Sequence, residues 1–201
     1  MINEESKIPS PGDDSQQIPS KELLMISAIS GITYLFLAFL IYRYIHNESL
    51  LIAFEHGYST VSQLVIGIGA GGAAASAIAF LINRPPISGV LHDFYIVDIV
   101  SKMKLSRFDR IQLSAIAGVG EELLFRGAIQ PLLGIWITSF IFIGIHGYFK
   151  FKSVGHLLFG LTMFGLSMLL GYLYEYSGLI AAMSAHAIYD VIMLRMVQVK
   201  K

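Results

Sequence analysis

Residues 61–82 read VSQLVIGIGAGGAAASAIAFLI, a stretch without a single charged side chain. A helix of this length is about 33 Å long at about 1.5 Å per residue, enough to cross a hydrocarbon layer of about 30 Å. Working outward, comparable apolar runs extend over Leu23–Ile45, Arg110–Leu133, Gly134–Phe149, Val154–Tyr174 and Gly178–Leu194. The expectation is an all-α protein, a polytopic transmembrane helix bundle of about six spans. Composition agrees: 55% of the side chains are apolar, 14% are charged and the mean hydropathy is +0.66, whereas soluble domains carry roughly a quarter charged residues. Fourteen basic and fourteen acidic residues cancel, giving no electrostatic footprint for nucleic acid, and the chain has no cysteine for disulfides or thiolate ligands. The surroundings implied are membrane lipids.

The same stretch contains a false lead. Gly67-Ile68-Gly69-Ala70-Gly71-Gly72 satisfies G-x-G-x-x-G, with Asp93 about twenty positions on. A dinucleotide fingerprint joins a strand to a helix at an aqueous crevice. Here the glycines lie inside an apolar helix and continue into Ala73, Ala74, Ala75 and Ser76. Small residues let membrane helices approach closely, so the run is read as a packing face.

Residues 1–22 are polar and are expected to form a disordered leader; residues 23–201 form the membrane-embedded domain, with a motif core at 110–194. Between the second and third spans, Pro85 and Pro86 break the helix. Val90, Leu91, Phe94, Val97 and Val100 then recur at helical spacing against Asp93, Asp98, Lys102 and Lys104. That pattern predicts a cytoplasmic interfacial helix, either a connector packed on the bundle or a gate for substrate. Lys7, Lys21, Arg84, Lys102, Lys104, Arg107, Arg110, Lys150, Lys152, Arg195, Lys200 and Lys201 all fall on one side of the six spans, and only Arg43 on the other. Short loops rich in Lys and Arg stay in the cytoplasm, so an integral protein of the cell (inner or plasma) membrane with both termini cytoplasmic is expected.

Inside the spans lie Glu121, Glu122, Arg126, His146, His156, His186 and Asp190. Ionisable groups in hydrocarbon cost a few kcal/mol each on insertion scales, and those present usually face the bundle interior and serve function. Glu122 stands four residues before Arg126, the favourable order for an ion pair, whereas Glu121 points about 100° away and has no cation on its own helix face. Glu122 is read as Arg126's structural partner and Glu121 as a candidate general base. His186 and Asp190 share one helix face, so the carboxylate can hold the imidazole in one orientation. Phe142 and His146 repeat that spacing, while His156 reads as a hydrogen-bonded core residue. Counted from the cytoplasmic ends of their spans, Glu121, His146, His186 and Asp190 can converge in the cytoplasmic half of the bilayer.

Glu121 to Arg126 match E-E-x-x-x-R, Phe142 to His146 match F-x-x-x-H, and His186 to Asp190 match H-x-x-x-[N/D], in that order. On these motifs the chain resembles the CPBP family of intramembrane proteases, the CAAX prenyl endopeptidase type II and bacteriocin-processing group. The resemblance implies endopeptidase cleavage of a membrane-associated protein or peptide. Glu121 and His146 would activate water, His186 and Asp190 would stabilise the oxyanion, and Glu122, Arg126 and Phe142 would support the site. Many relatives have Asn at the position of Asp190; an ionised Asp cannot donate a hydrogen bond, so it contacts the oxyanion, stays protonated or only orients His186. A metal-free glutamate mechanism without cofactor is expected. The alternative is zinc, held by Glu121, His146, His186 and Asp190. Other readings of the same buried cluster are a non-catalytic membrane scaffold and a small proton-coupled transporter.

Overall fold

The structure, a computed structural model, describes residues 20–103 and 105–199, so all of the expected leader but its last three residues lies outside the described residues. Those three open the first turn of α1 (Ser20–Ile41), which continues as a π-helical turn at Tyr42–His46 and stops at Asn47, in the left-handed region at φ 58°. Asparagine tolerates that conformation at a helix end better than most residues. After α2 (Thr60–Ile82) comes the short amphipathic α3 (Tyr95–Lys102). Then follow α4 (Arg107–Glu122), a π-helical stretch at Leu123–Ile129, α5 (Gln130–Ile145), α6 (Val154–Ser177) and α7 (Leu179–Val199). The described residues are all-helical and lack strands.

Among the described residues, five stretches are long and apolar enough to cross a membrane, where six were expected. The third, Arg107–Ile145, accounts for the difference. Gly134 inside it adopts φ 75° and ψ 169°, which no continuous helix contains. Were the helix straight, Glu121 and His146 would be about 38 Å apart; instead their side chains meet at 3.6 Å. The chain therefore folds back at Gly134, where sequence reading divided the third span from the fourth. The returning leg, residues 135–145, is about 16 Å long, half the hydrocarbon thickness and not the full span expected over Gly134–Phe149. Gly147, at φ 72°, ends it.

The single interfacial helix expected from Val90 onward is two elements, a 3-10 turn (Leu91–Asp93) and α3, because Phe94 turns extended at φ −90° and ψ 121°. That break buries the Phe94 ring, 1% exposed, against Tyr148, His156 and Phe159. A Ser106–Asp109 capping box then starts α4, three residues before the expected boundary.

α7 is the centre of the bundle, packed on α2 and α4. A Cβ on Gly67 would stand 2.4 Å from the Ala181 carbonyl oxygen, and one on Gly71 would stand 2.3 Å from that of Ala185. The glycine run is thus a packing face, as read, and only these two of its members, four residues apart, are required for close approach. Gly69 and Gly72 have open space around them. The paired contacts also give direction. Gly67 and Gly71 meet Ala181 and Ala185, so α2 and α7 run parallel; Gly31 meets Ile116 while Tyr42 reaches Gly127, so α1 and α4 run parallel. Gly118 against Ala187 with Gly127 against Leu179 sets α7 antiparallel to α4 and its π-helical continuation. The start of α1 and the end of α7 consequently lie on one face of the bundle.

Gly71→Ala is expected to lower the thermal unfolding temperature in detergent, by an overpacking cost of about 1–3 kcal/mol, because the clash is with rigid backbone. Gly69→Ala, next to open space, is expected to leave it unchanged or raise it.

Candidate active site

The hairpin at Gly134 brings Glu121 and His146 to one height, thirteen residues before the turn and twelve after it. Glu121 Oε2 stands 3.6 Å from His146 Nε2, with side chains 13% and 20% exposed. The other imidazole nitrogen, Nδ1, is 2.7 Å from the Phe142 carbonyl oxygen. A carbonyl only accepts, so Nδ1 carries a proton and fixes the tautomer. In its neutral form the ring turns a lone pair toward the Glu121 carboxylate. Two facing acceptors at this separation are complementary to a proton between them or to one water donating to both.

His186, on α7, is held from the opposite side. Its Nδ1 donates to Glu122 Oε1 at 2.8 Å, and its Nε2 is 3.5 Å from Asp190 Oδ2. The short bond that orients this imidazole therefore comes from Glu122. Asp190, to which the i, i+4 spacing gave that role, stands at the longer distance on the other nitrogen. Glu122 Oε2 is 3.1 Å from Arg126 Nε, an ion-pair contact off the direction of the N–H, with both side chains 0% exposed. Arg126 in turn donates through Nη2 to the Ser167 hydroxyl at 3.0 Å and its carbonyl at 3.3 Å, and lies over the Phe142 ring at 5.0 Å. Phe142 packs edge-on against Phe125 and His186 and against the His146 ring at 4.4 Å. The π-helical stretch beginning at Leu123 widens the helix directly after the two glutamates, a distortion often found at functional sites.

All four candidate catalytic residues, Glu121, His146, His186 and Asp190, line one chamber of about 270 Å³. An adjoining groove of about 320 Å³ is walled by apolar side chains of α2, α3, α6 and α7, among them Ile78, Val97, Phe159, Met163 and Met193. Asp190, Tyr148, Tyr189, Met163, Val100 and Leu194 line both. His156 lies outside the chamber, its nitrogens occupied by Ser153 Oγ at 2.8 Å and Asp93 Oδ2 at 3.0 Å, which ties α6 to the turn before α3. His92 is exposed.

Sequence reasoning missed Gly147 and Tyr148. Gly147 N donates to the Gly144 carbonyl and Tyr148 N to that of Ile143, at 3.0 and 3.2 Å, the paired bonds of a Schellman motif that require a left-handed residue at Gly147. The available signal was a glycine after the last residue of an apolar helix.

Two histidines and two carboxylates form a donor set that zinc accepts. Among the described residues, however, no three such side chains are grouped to hold a metal ion.

A family model described as type II CAAX prenyl endopeptidase, Rce1-like, matches residues 106–192. That is the segment carrying the three motifs, and the family read from them is the one found. The uncharacterized protein YpbD of Bacillus subtilis (strain 168) is 36% identical over 83 residues, 41% of this chain and 42% of that protein. The matched stretch thus spans less than half the length of this relative. No solved structure matches.

Arg126→Ala would leave Glu122 buried without its cation. We expect a loss of stability of about 3–5 kcal/mol, read as lower yield and earlier thermal unfolding in detergent. Unchanged unfolding would show that Ser167 and Phe142 hold no essential charge in place.

Proposed function

With residues 106–192 matching the Rce1-like type II CAAX prenyl endopeptidase family, we propose that this protein is an intramembrane endopeptidase acting on a membrane-associated protein or peptide. The observation that carries the reading is the facing pair of Glu121 and His146 at 3.6 Å. One water bridges them. As its oxygen attacks the carbonyl carbon of the substrate, Glu121 takes up its proton and His146 Nε2 accepts a hydrogen bond from the same water. His186 supplies the opposing charge: held at Nδ1 by Glu122, with both nitrogens protonated, it donates Nε2–H to the developing oxyanion, and Asp190 balances the imidazolium. When the tetrahedral intermediate collapses, the C–N bond breaks and Glu121 passes its proton to the leaving amine. Glu122, Arg126 and Phe142 touch no substrate; they hold the two imidazoles in place.

The apolar groove beside Asp190 supports a substrate with an apolar portion, delivered from lipid to the chamber. The face shared by the start of α1 and the end of α7 is assigned to the cytoplasm, because the loops with Lys and Arg lie there. Reporter fusions check this directly: one at Lys201 should report cytoplasm and one near Glu48 the opposite side.

The reaction is tested by mass spectrometry of membrane peptides from cells carrying the intact protein or Glu121→Gln. Glutamine keeps size and removes basicity, so the variant should fold normally and lose about 10²- to 10⁴-fold in turnover. Equal cleavage by the two proteins would sink the mechanism. Activity abolished by exhaustive chelation and restored by zinc would replace it with a metal-dependent one. A scaffold would produce no cleavage difference at all.

A further inference from the structure

One polar group in the chamber is unused by this mechanism. Tyr148 stands where the catalytic chamber meets the apolar groove, lining both. Its ring is gripped on several sides: parallel to His146 within 5° at 6.0 Å, edge-on to Phe159 at 5.6 Å, and 6.2 Å from Phe94. The Schellman turn at Gly147 fixes its backbone to the end of α5, the same end that carries His146. A side chain so held loses little further freedom on meeting a substrate, which is the condition for a preorganised donor.

The hydroxyl itself is uncommitted. Among the described residues it has no hydrogen-bond partner, and it is not among the sealed polar atoms of the interior. By contrast, the hydroxyl of Tyr189, the other tyrosine on both cavities, is directed at the Met163 sulfur at 4.0 Å. Burial pushes the Tyr148 phenol above its ordinary value, and the charges of Asp190 and Glu121 push it further in the same direction. The group therefore keeps its proton and remains a neutral donor. The chamber has need of one, because Glu121 and Asp190 are acceptors when ionised and His146 has committed its Nδ1–H to the Phe142 carbonyl.

We propose that Tyr148 is a catalytic residue, its phenol donating a hydrogen bond to the carbonyl oxygen of the peptide bond being cut, alongside Nε2–H of His186. This rests on the hydrolase reading above. A substrate whose apolar part occupies the groove passes Tyr148 before reaching the water between Glu121 and His146. The scissile carbonyl then has an uncharged donor on the groove side and an imidazolium on the α7 side, the pair that an ionised Asp190 cannot complete.

The test uses the full-length protein in detergent, supplied with solubilised membrane proteins from cells lacking it, in water enriched in oxygen-18. Each hydrolysed bond labels a new carboxyl terminus, so no substrate need be known beforehand. Intact protein, Glu121→Gln, Tyr148→Phe and, as a control, Tyr176→Phe on the exposed end of α6 are compared for initial labelling rate and thermal unfolding. Tyr148→Phe keeps every ring contact; it is expected to unfold like the intact protein while its labelling falls on the order of 10²-fold, the usual cost of one oxyanion donor. Tyr176→Phe is expected to label normally. Normal labelling by Tyr148→Phe alongside none by Glu121→Gln overturns the tyrosine assignment alone. A loss that merely tracks earlier unfolding of Tyr148→Phe overturns it too. No labelling by the intact protein, or full labelling by Glu121→Gln, overturns the hydrolase reading and the tyrosine's role with it.

Discussion

The carboxylate of Glu122 is the group on which the arrangement of the site depends. It has no exposed surface, and its two oxygens face cations or N–H groups from different parts of the chain: Arg126 one turn on, and His186 on α7. Arg126 extends the connection to Ser167 on α6. An ionised carboxylate in the interior of a membrane protein is tolerable only with such partners, so the charge demands that α4, α6 and α7 stay together in one register. The geometry of the candidate site follows from a folding requirement, since the bond that satisfies Glu122 is also the bond that turns His186 toward the chamber.

Glycines supply the remaining constraints. Gly67 and Gly71 bring α2 against the α7 backbone, Gly134 reverses the chain so that His146 returns to Glu121, and Gly147 halts the returning leg with Tyr148 beside the imidazole. Each acts through backbone conformation or absence of a Cβ, so none shows in a charge or hydropathy pattern. Between them, helix packing places Glu122, and chain reversal places His146.

How much of this was legible in the sequence follows from the type of signal involved. Spans appear as uncharged runs, and the break between Leu133 and Gly134 was located correctly. The half-length of the leg after it was not, because its apolar pattern continues to Phe149 beyond the helix end at Ile145. The separation of Glu121 from Glu122 follows from helix geometry and Arg126 alone. The use of Glu122 to orient His186 does not, since the two are 64 residues apart and their meeting is a tertiary fact; the local i, i+4 rule offered Asp190 instead. Phe94 illustrates the same limit, fitting a helical repeat in sequence yet ending the turn before α3 to fill a hole beside Phe159.

The short returning leg has a consequence for the surrounding lipid. Irregular backbone at membrane depth persists only where protein buries it or water wets it, and the chain from His146 to Ser153 finishes its return without helix before α6, where Gly155 packs on Pro86. Lipid tails meeting that side find half a helix where a whole one would stand. Where protein does not cover that segment, the local leaflet thins or admits water, at a cost of fractions of a kcal/mol per Å of mismatch. A thicker, more ordered bilayer closes such an indentation and a thinner one opens it. The hydration of a site sunk among hydrocarbon chains is thereby coupled to the thickness of the membrane that houses it.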